Sequence, residues 1–263
     1  MEAWYSSVAV AARTLWRYEG LKITVTGGEH IPTGGGGVIA INHTGYFDFL
    51  FAALAAYRTE PRRWVRFMAK KETFDNRFTG PIMRGCKHIA VDRSQGAESY
   101  AAAVEYLKSG ELVGVYPEAT ISRSFELKEF KSGAARMAVE AQVPIIPHIV
   151  WGAQRIWTKD HPKRLGRTKV PITVTVGEPI APTLPVDELR TVLQSRMQQL
   201  LEQAQEAYPD GHPADAFWVP RRLGGSAPTP AGALELDAAE AARKAEQRAA
   251  GRKQPPRPTG TSG

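Results

Sequence analysis

A chain of 263 residues, 43 % apolar and 23 % charged, has the material for a folded domain with a substantial core. Its formal net charge of +7 calls for an anionic partner, whether nucleic acid, acidic lipid surface or phosphorylated substrate. The single cysteine, Cys86, excludes an internal disulfide, and no apolar run approaches the ~18–20 residues of a membrane-spanning helix. Nor is the N-terminus like a secretory signal, with Glu2 where positive charge belongs.

Residues Ala3 to Tyr18 have helical periodicity, with an apolar stripe through Trp4, Val8, Ala11 and Leu15 and with Ser7, Arg13 and Arg17 elsewhere around the helix. Such a helix either packs on the domain or lies in a membrane interface with Trp4, Tyr5 and Trp16 at headgroup level. Seven short β-rich runs follow: LKITVTG, GVIAIN, VRFMAK, HIAV, LVGVYP, VPIIPHIV and PITVTV. Helical stretches alternate with many of them, notably GAESYAAAVEYLKSG and KSGAARMAVEAQ. This alternation predicts an α/β domain with a mixed, largely parallel central sheet flanked by helices. A long helix is expected from Val186 to about Tyr208, closed by Pro209 and Gly211. From Leu223 the composition turns to Gly, Pro, Ala and charge, which predicts a flexible tail in which AAEAARKAEQRAA forms at most a transient helix. The expected division is an amphipathic helix over 1–20, a single domain over 21–222 and a tail over 223–263.

Four segments carry candidate chemistry. In INHTGYFDF, His43 and Asp48 stand five residues apart, which on a regular helix separates them by roughly 140°. They meet only if His43 lies in a bend before a helix and Asp48 in its first turn, with Gly45 easing the bend. A carboxylate on one ring nitrogen fixes the tautomer and steadies the imidazolium, leaving the other nitrogen as a general base; helix capping is the plainer alternative. In GCKHIAVDR, Arg93 follows a short strand, where an arginine grips phosphate or pairs with a neighbour such as Asp92. In VYPEATISRSFELKEFKSGAARMA, a strand exits into a loop bearing Glu118, Thr120, Ser122, Arg123 and Ser124. It then passes Lys128 and Lys131 to a helix start, and strand exits and helix N-termini are where α/β folds bind anions. VPIIPHIV reads as a core strand framed by Pro144 and Pro147.

In order and spacing these blocks resemble the glycerolipid acyltransferase family, in particular the 1-acylglycerol-3-phosphate acyltransferases. That family carries N-H-x4-D, G…[IV]-x-[IV]-D-R, [FY]-P-E-G-T-R-S and V-P-[IV]-[IV]-P, matched here by Asn42–Asp48, Gly85–Arg93, Tyr116–Ser124 and Val143–Pro147. MAKKETF, from Met68, is similar to the family's Lys-x-Glu segment. The sequence departs from the pattern at Ala119, which replaces a glycine, at the displaced arginine of EATISRS, and at Gly45, where the family often has serine. The resemblance implies transfer of an acyl group from acyl-CoA or acyl carrier protein to the free hydroxyl of lysophosphatidic acid. Glycerol 3-phosphate or another lysolipid is the alternative acceptor. It implies His43 and Asp48 as the catalytic pair, and Lys70, Arg93, Glu118, Thr120, Arg123 and Lys131 around the substrate. No metal or cofactor is implied, and the enzyme is expected to work peripherally on the cytoplasmic face of a membrane.

Other classes are weaker. A metal-dependent hydrolase using His43, Asp48 and His88 or His148 lacks a clustered third ligand. A Cys86 nucleophile has only Lys87 and His88 beside it, so an inert thiol is expected. Aromatic residues are not interleaved with basic runs, which argues against nucleic acid. A non-catalytic binder of anionic membranes is left as the third class.

Overall fold

The computed structural model describes residues 3–92 and 96–252. Helix α1 spans Ala3–Glu19 and leads into β1 (Lys22–Thr26) and β2 (Gly37–Ile41). Helix α2 (Asp48–Tyr57), β3 (Val65–Lys70), the short helices α3 (Lys71–Asp75) and α4 (Thr79–Gly85), and β4 (Ile89–Val91) follow. Next come α5 (Gly96–Lys108), β5 (Leu112–Val115), α6 (Gly133–Ala141), β6 (Ile145–Trp151) and β7 (Pro171–Val176). Helices α7 (Val186–Glu206) and α8 (Pro230–Arg252) complete the chain.

All seven β-rich runs become strands of one sheet, ordered β1-β7-β6-β2-β5-β3-β4. Every neighbouring pair is parallel except β6 with β7. Strands β2 to β6 therefore end at one edge of the sheet, and the loops that follow them share it. The central strands have no polar face because both sides are covered. Val38 and Ala40 of β2 join the core beneath α5, α6 and α7. Ile39 and Ile41 alternate into a second core beneath α1 and α2.

Helix α1 packs through a face one residue away from the expected stripe. Tyr5 and Trp16 are buried, Tyr5 Oη donating to the Val65 carbonyl at 2.8 Å and Trp16 stacking on Phe51 at 5.1 Å. Trp4 and Leu15 are exposed, as are Val10 and Tyr18. Adjacent apolar pairs, Trp4–Tyr5 and Leu15–Trp16, satisfy the helical period equally well, and packing selects the second member of each. Between α1, the end of α2 and β1 lies a cleft of about 440 Å³ lined by Arg13, Arg17, Arg58 and Arg62 with Trp16 and Tyr57.

Within the segment expected to be flexible, α8 extends well before AAEAARKAEQRAA. Its inward face carries buried Ala233 and half-buried Asp237 and Glu240, at i, i+4 and i+7. Residues 253–263 lie outside the described residues.

Candidate active site

The site begins where β2 ends. Asn42 is fully buried and extends the pairing with β6: its Oδ1 accepts the Val150 N–H at 2.7 Å and its Nδ2 donates to the Val150 carbonyl at 3.1 Å. The chain then turns, and α2 opens on Asp48. Asp48 Oδ2 accepts the N–H groups of Thr44 and Gly45, each at 2.8 Å, and lies 3.1 Å from His43 Nδ1. Of the sequence alternatives the histidine–carboxylate pair is realised; the same oxygen ties down the turn ahead of α2, whose own first N–H groups receive no side-chain cap. Gly45 is needed because a Cβ there would meet the Trp157 carbonyl oxygen at 2.9 Å. Burial pushes the Asp48 carboxyl above its ordinary value, opposed by the hydrogen bond and charge of His43 and by the two N–H groups. The His43 side chain is 18 % exposed, and its Nε2 has no hydrogen-bond partner among the described residues.

The loop after β5 braces this corner. The Tyr116 ring lies beneath the His43 imidazole, with centroids 3.9 Å apart and planes 18° from parallel. Burial and the Asp48 charge push its phenol well above the ordinary value. Glu118 accepts the His43 N–H on Oε1 at 2.7 Å and the Lys128 N–H on Oε2 at 3.0 Å, while Ser122 N–H donates to the His43 carbonyl at 2.8 Å. The carboxyl of Glu118 is therefore enclosed, and burial raises it to about 8 despite those two N–H groups and the Lys128 charge. Ala119, at φ 61°, adopts the left-handed conformation that suits the glycine usual in the [FY]-P-E-G block.

Arg123 is nearly buried, with its guanidinium divided among three carboxylates. Nε donates to Asp160 at 2.6 Å, Nη2 to Glu240 at 2.8 Å and Nη1 to Asp237. Lys128 donates to Thr120 Oγ1 at 2.7 Å and to Asp237. Lys159 reaches Asp237 at 3.2 Å and Glu240 at 3.0 Å. Burial works against the Arg123 charge, yet the Asp160 and Glu240 hydrogen bonds raise its pKa further. Hydrogen bonds from Lys244, Arg123 and Lys159 hold Glu240 far below the usual carboxylate range.

The predicted residues thus separate into groups. His43, Asp48, Glu118, Thr120 and Arg123 come together, with Glu118 turned toward backbone rather than toward open space. Lys70 ends β3 at the same sheet edge and is exposed, as is Lys131, whose N–H closes the loop onto the Pro117 carbonyl at 2.9 Å. Arg93 lies outside the described residues. His148 is buried and His88 half-buried, each with its pKa lowered to about 4, chiefly by desolvation; Cys86 is buried. Among the described residues no group of three or more His, Cys, Asp or Glu is placed to hold a metal ion. Sequence reasoning missed Lys159 and the α8 carboxylates, which no local pattern marks. It named Tyr116 and Lys128 only in passing.

The Acyltransferase family model matches residues 22–151, which contain the corner, the Tyr116–Ser124 loop and β6. That stretch, just under half of the chain, is a domain of the acyltransferase family. The chain is 32 % identical to the 1-acyl-sn-glycerol-3-phosphate acyltransferase of Bacillus subtilis over 120 residues, 45 % of this chain and 57 % of the relative. With the Limnanthes douglasii protein of that name it shares 31 % over 175 residues, 65 % of this chain and 58 % of the relative. It thus spans a little under three fifths of the length of these curated relatives. Its fold is that of the 1-acyl-sn-glycerophosphate (LPA) acyltransferase, PlsC, of Thermotoga maritima. The TM-score is 0.61 at 20 % identity, over 74 % of this chain and 80 % of that one.

Proposed function

We propose that this chain moves a fatty acyl group from acyl-CoA or acyl carrier protein to the free hydroxyl of lysophosphatidic acid, giving phosphatidic acid. The observation that carries this reading is the His43–Asp48 pair, 3.1 Å apart, with Nε2 left available beside a cluster of cations. His43 Nε2 takes the hydroxyl proton as the oxygen attacks the thioester carbonyl. Asp48, bonded to Nδ1, balances the imidazolium. Collapse of the tetrahedral intermediate breaks the C–S bond, and the imidazolium returns its proton to the departing sulfur. Neither a covalent enzyme intermediate nor a metal enters these steps. Tyr116 supports the ring from below and Glu118 fixes its backbone, which keeps the base in line with the bound hydroxyl.

The acceptor is amphiphilic and is drawn from a membrane surface. Exposed Trp4, Val10, Leu15 and Tyr18 on α1, together with Arg13 and Arg17, suit an anionic interface. No helix among the described residues is long and apolar enough to cross a membrane.

The test is release of free thiol by the purified full chain from one long-chain acyl-CoA, with lysophosphatidic acid, glycerol 3-phosphate and lysophosphatidylcholine in parallel. Lysophosphatidic acid is expected to react fastest, and His43→Ala to lose on the order of 10²–10⁴ in turnover at an unchanged melting temperature. No transfer to any acceptor, or wild-type turnover in His43→Ala, overturns the proposal.

A further inference from the structure

Two carboxylates of α8, 78 to 117 residues away along the chain, are inserted among three cations. Asp237 is held by Arg123, Lys128 and Lys159, and Glu240 by Arg123 and Lys159. Thr120 completes the group through Lys128. The cluster adjoins His43 by covalent and hydrogen-bonded paths. Ser122 N–H, one residue before Arg123, donates to the His43 carbonyl, and Thr158 Oγ1, one residue before Lys159, donates to the Thr44 carbonyl at 2.6 Å.

Resting on the acyl-transfer reading, in which Arg123 lies at the acceptor's phosphate, we infer that Asp237 and Glu240 of α8 take the place of that phosphate among Arg123, Lys128 and Lys159 as a built-in surrogate which the acceptor must displace. Two unit negative charges, presented on oxygens, match the charge and hydrogen-bonding character of a phosphate monoester, so exchange leaves the cations balanced. Three cations gathered around one loop would otherwise repel one another.

The attachment of α8 suits displacement. Its buried contact is Ala233, while Leu234 and Leu236 face outward, so Asp237 and Glu240 supply much of its hold. Ion pairs that keep 17–19 % side-chain exposure on the carboxylate side are accessible to a competing anion. Asp160, the remaining carboxylate on Arg123, is 60 % exposed and binds only Nε, so the outer edge of the guanidinium faces α8. Lys128 and Lys159 thereby become specificity determinants: an acceptor without a phosphate cannot replace the α8 carboxylates without leaving cations unpaired.

The test uses the full chain, with lysophosphatidic acid as probe and monoacylglycerol of the same chain length as the phosphate-free comparison. Binding is measured by calorimetry without donor, and KM is measured with acyl-CoA. Asp237→Asn/Glu240→Gln is expected to tighten lysophosphatidic acid about 3- to 10-fold in both, because the binding-competent fraction rises. The charge-matched Glu235→Gln/Glu246→Gln, on exposed positions of the same helix, is expected to change neither. Lys159→Gln should weaken the lysophosphatidic acid complex and leave monoacylglycerol binding alone. In the wild type, lysophosphatidic acid but not monoacylglycerol should accelerate hydrogen exchange over residues 230–247, a readout independent of whether any variant folds. Unchanged or looser binding in Asp237→Asn/Glu240→Gln, equal tightening in the control pair, or undiminished exchange protection overturns the inference. If tightening occurs but no acceptor is acylated, the acyl-transfer reading fails and the anion site stands; if acylation proceeds with KM indifferent to all three cation and carboxylate changes, the anion site alone falls.

Discussion

Glu118 grips His43 by the backbone across 75 residues of sequence, its Oε1 accepting the His43 N–H at 2.7 Å while Oε2 takes the Lys128 N–H at 3.0 Å. One buried carboxyl thereby joins the corner after β2 to the cationic loop after β5. Enclosure raises that carboxyl to about 8 from an ordinary 4.5, so the folded chain holds its proton more tightly than the unfolded chain does. Its contribution to stability is complete below pH 4.5 and is lost as pH climbs toward about 8. In Glu118→Gln, melting temperature should therefore fall less between pH 5 and 8 than in the wild type. At pH 5 the variant should already be less stable, by about 1–3 kcal/mol, because one amide oxygen must serve two buried N–H donors. Parallel curves for the two proteins would refute the coupling.

Asp48→Asn separates orientation of His43 from bracing of the turn. The amide oxygen can still accept from Thr44 and Gly45, but the imidazolium loses its counter-charge and the new NH2 enters a pocket where Asp48 Oδ1 has no partner. Turnover should drop by about 10²-fold or more. Melting should fall by several degrees, as about 1–3 kcal/mol is lost to unpaired donors. Near-wild-type turnover would show that the aspartate merely braces the turn before α2.

Ala119→Gly should stabilise the chain. A non-glycine residue at φ 61° costs about 1–2 kcal/mol, of which glycine's greater freedom when unfolded cancels about half. The expected gain is about 1 kcal/mol, or a melting point ~2–4 °C higher. A lower melting point would mean that the Ala119 methyl makes a compensating contact.

The outer face of α1 can be tested apart from catalysis. Val10→Glu/Leu15→Glu removes two exposed apolar side chains that belong to neither core cluster. Partitioning onto vesicles containing an anionic phospholipid should weaken at least about tenfold, with the fold unchanged. Undiminished partitioning would remove α1 from the interface.

Much of this architecture was legible because β2, β5 and β6 are apolar runs punctuated by glycine, proline or helix, the mark of strands covered on both faces. The His43–Asp48 pair was legible for a stereochemical reason: five residues cannot share a helix face, so the spacing demanded a bend. The packed face of α1 was not, since Tyr5 and Trp16 each sit beside another large apolar residue and only the partner surface, Phe51 and the Val65 carbonyl, chooses between them. Nor was the anchoring of α8. Asp237 lies 114 residues from Arg123, and an ionic contact of that range leaves no periodic trace. The resemblance puts Glu118 around the substrate; that its carboxyl also receives two main-chain N–H groups is something sequence does not display.

The amide of Asn42 imitates a peptide unit. With a donor and an acceptor in one plane it lends the β2–β6 ladder a further rung just before the turn, at a place where an aspartate or serine could supply only half of the pattern. The imidazole that follows is thus mounted directly on the central strand of a seven-stranded sheet, although it belongs formally to a loop. Displacing the backbone beneath the base requires β2 to peel away from β6, so its anchorage should persist at temperatures that already loosen the surrounding surface segments.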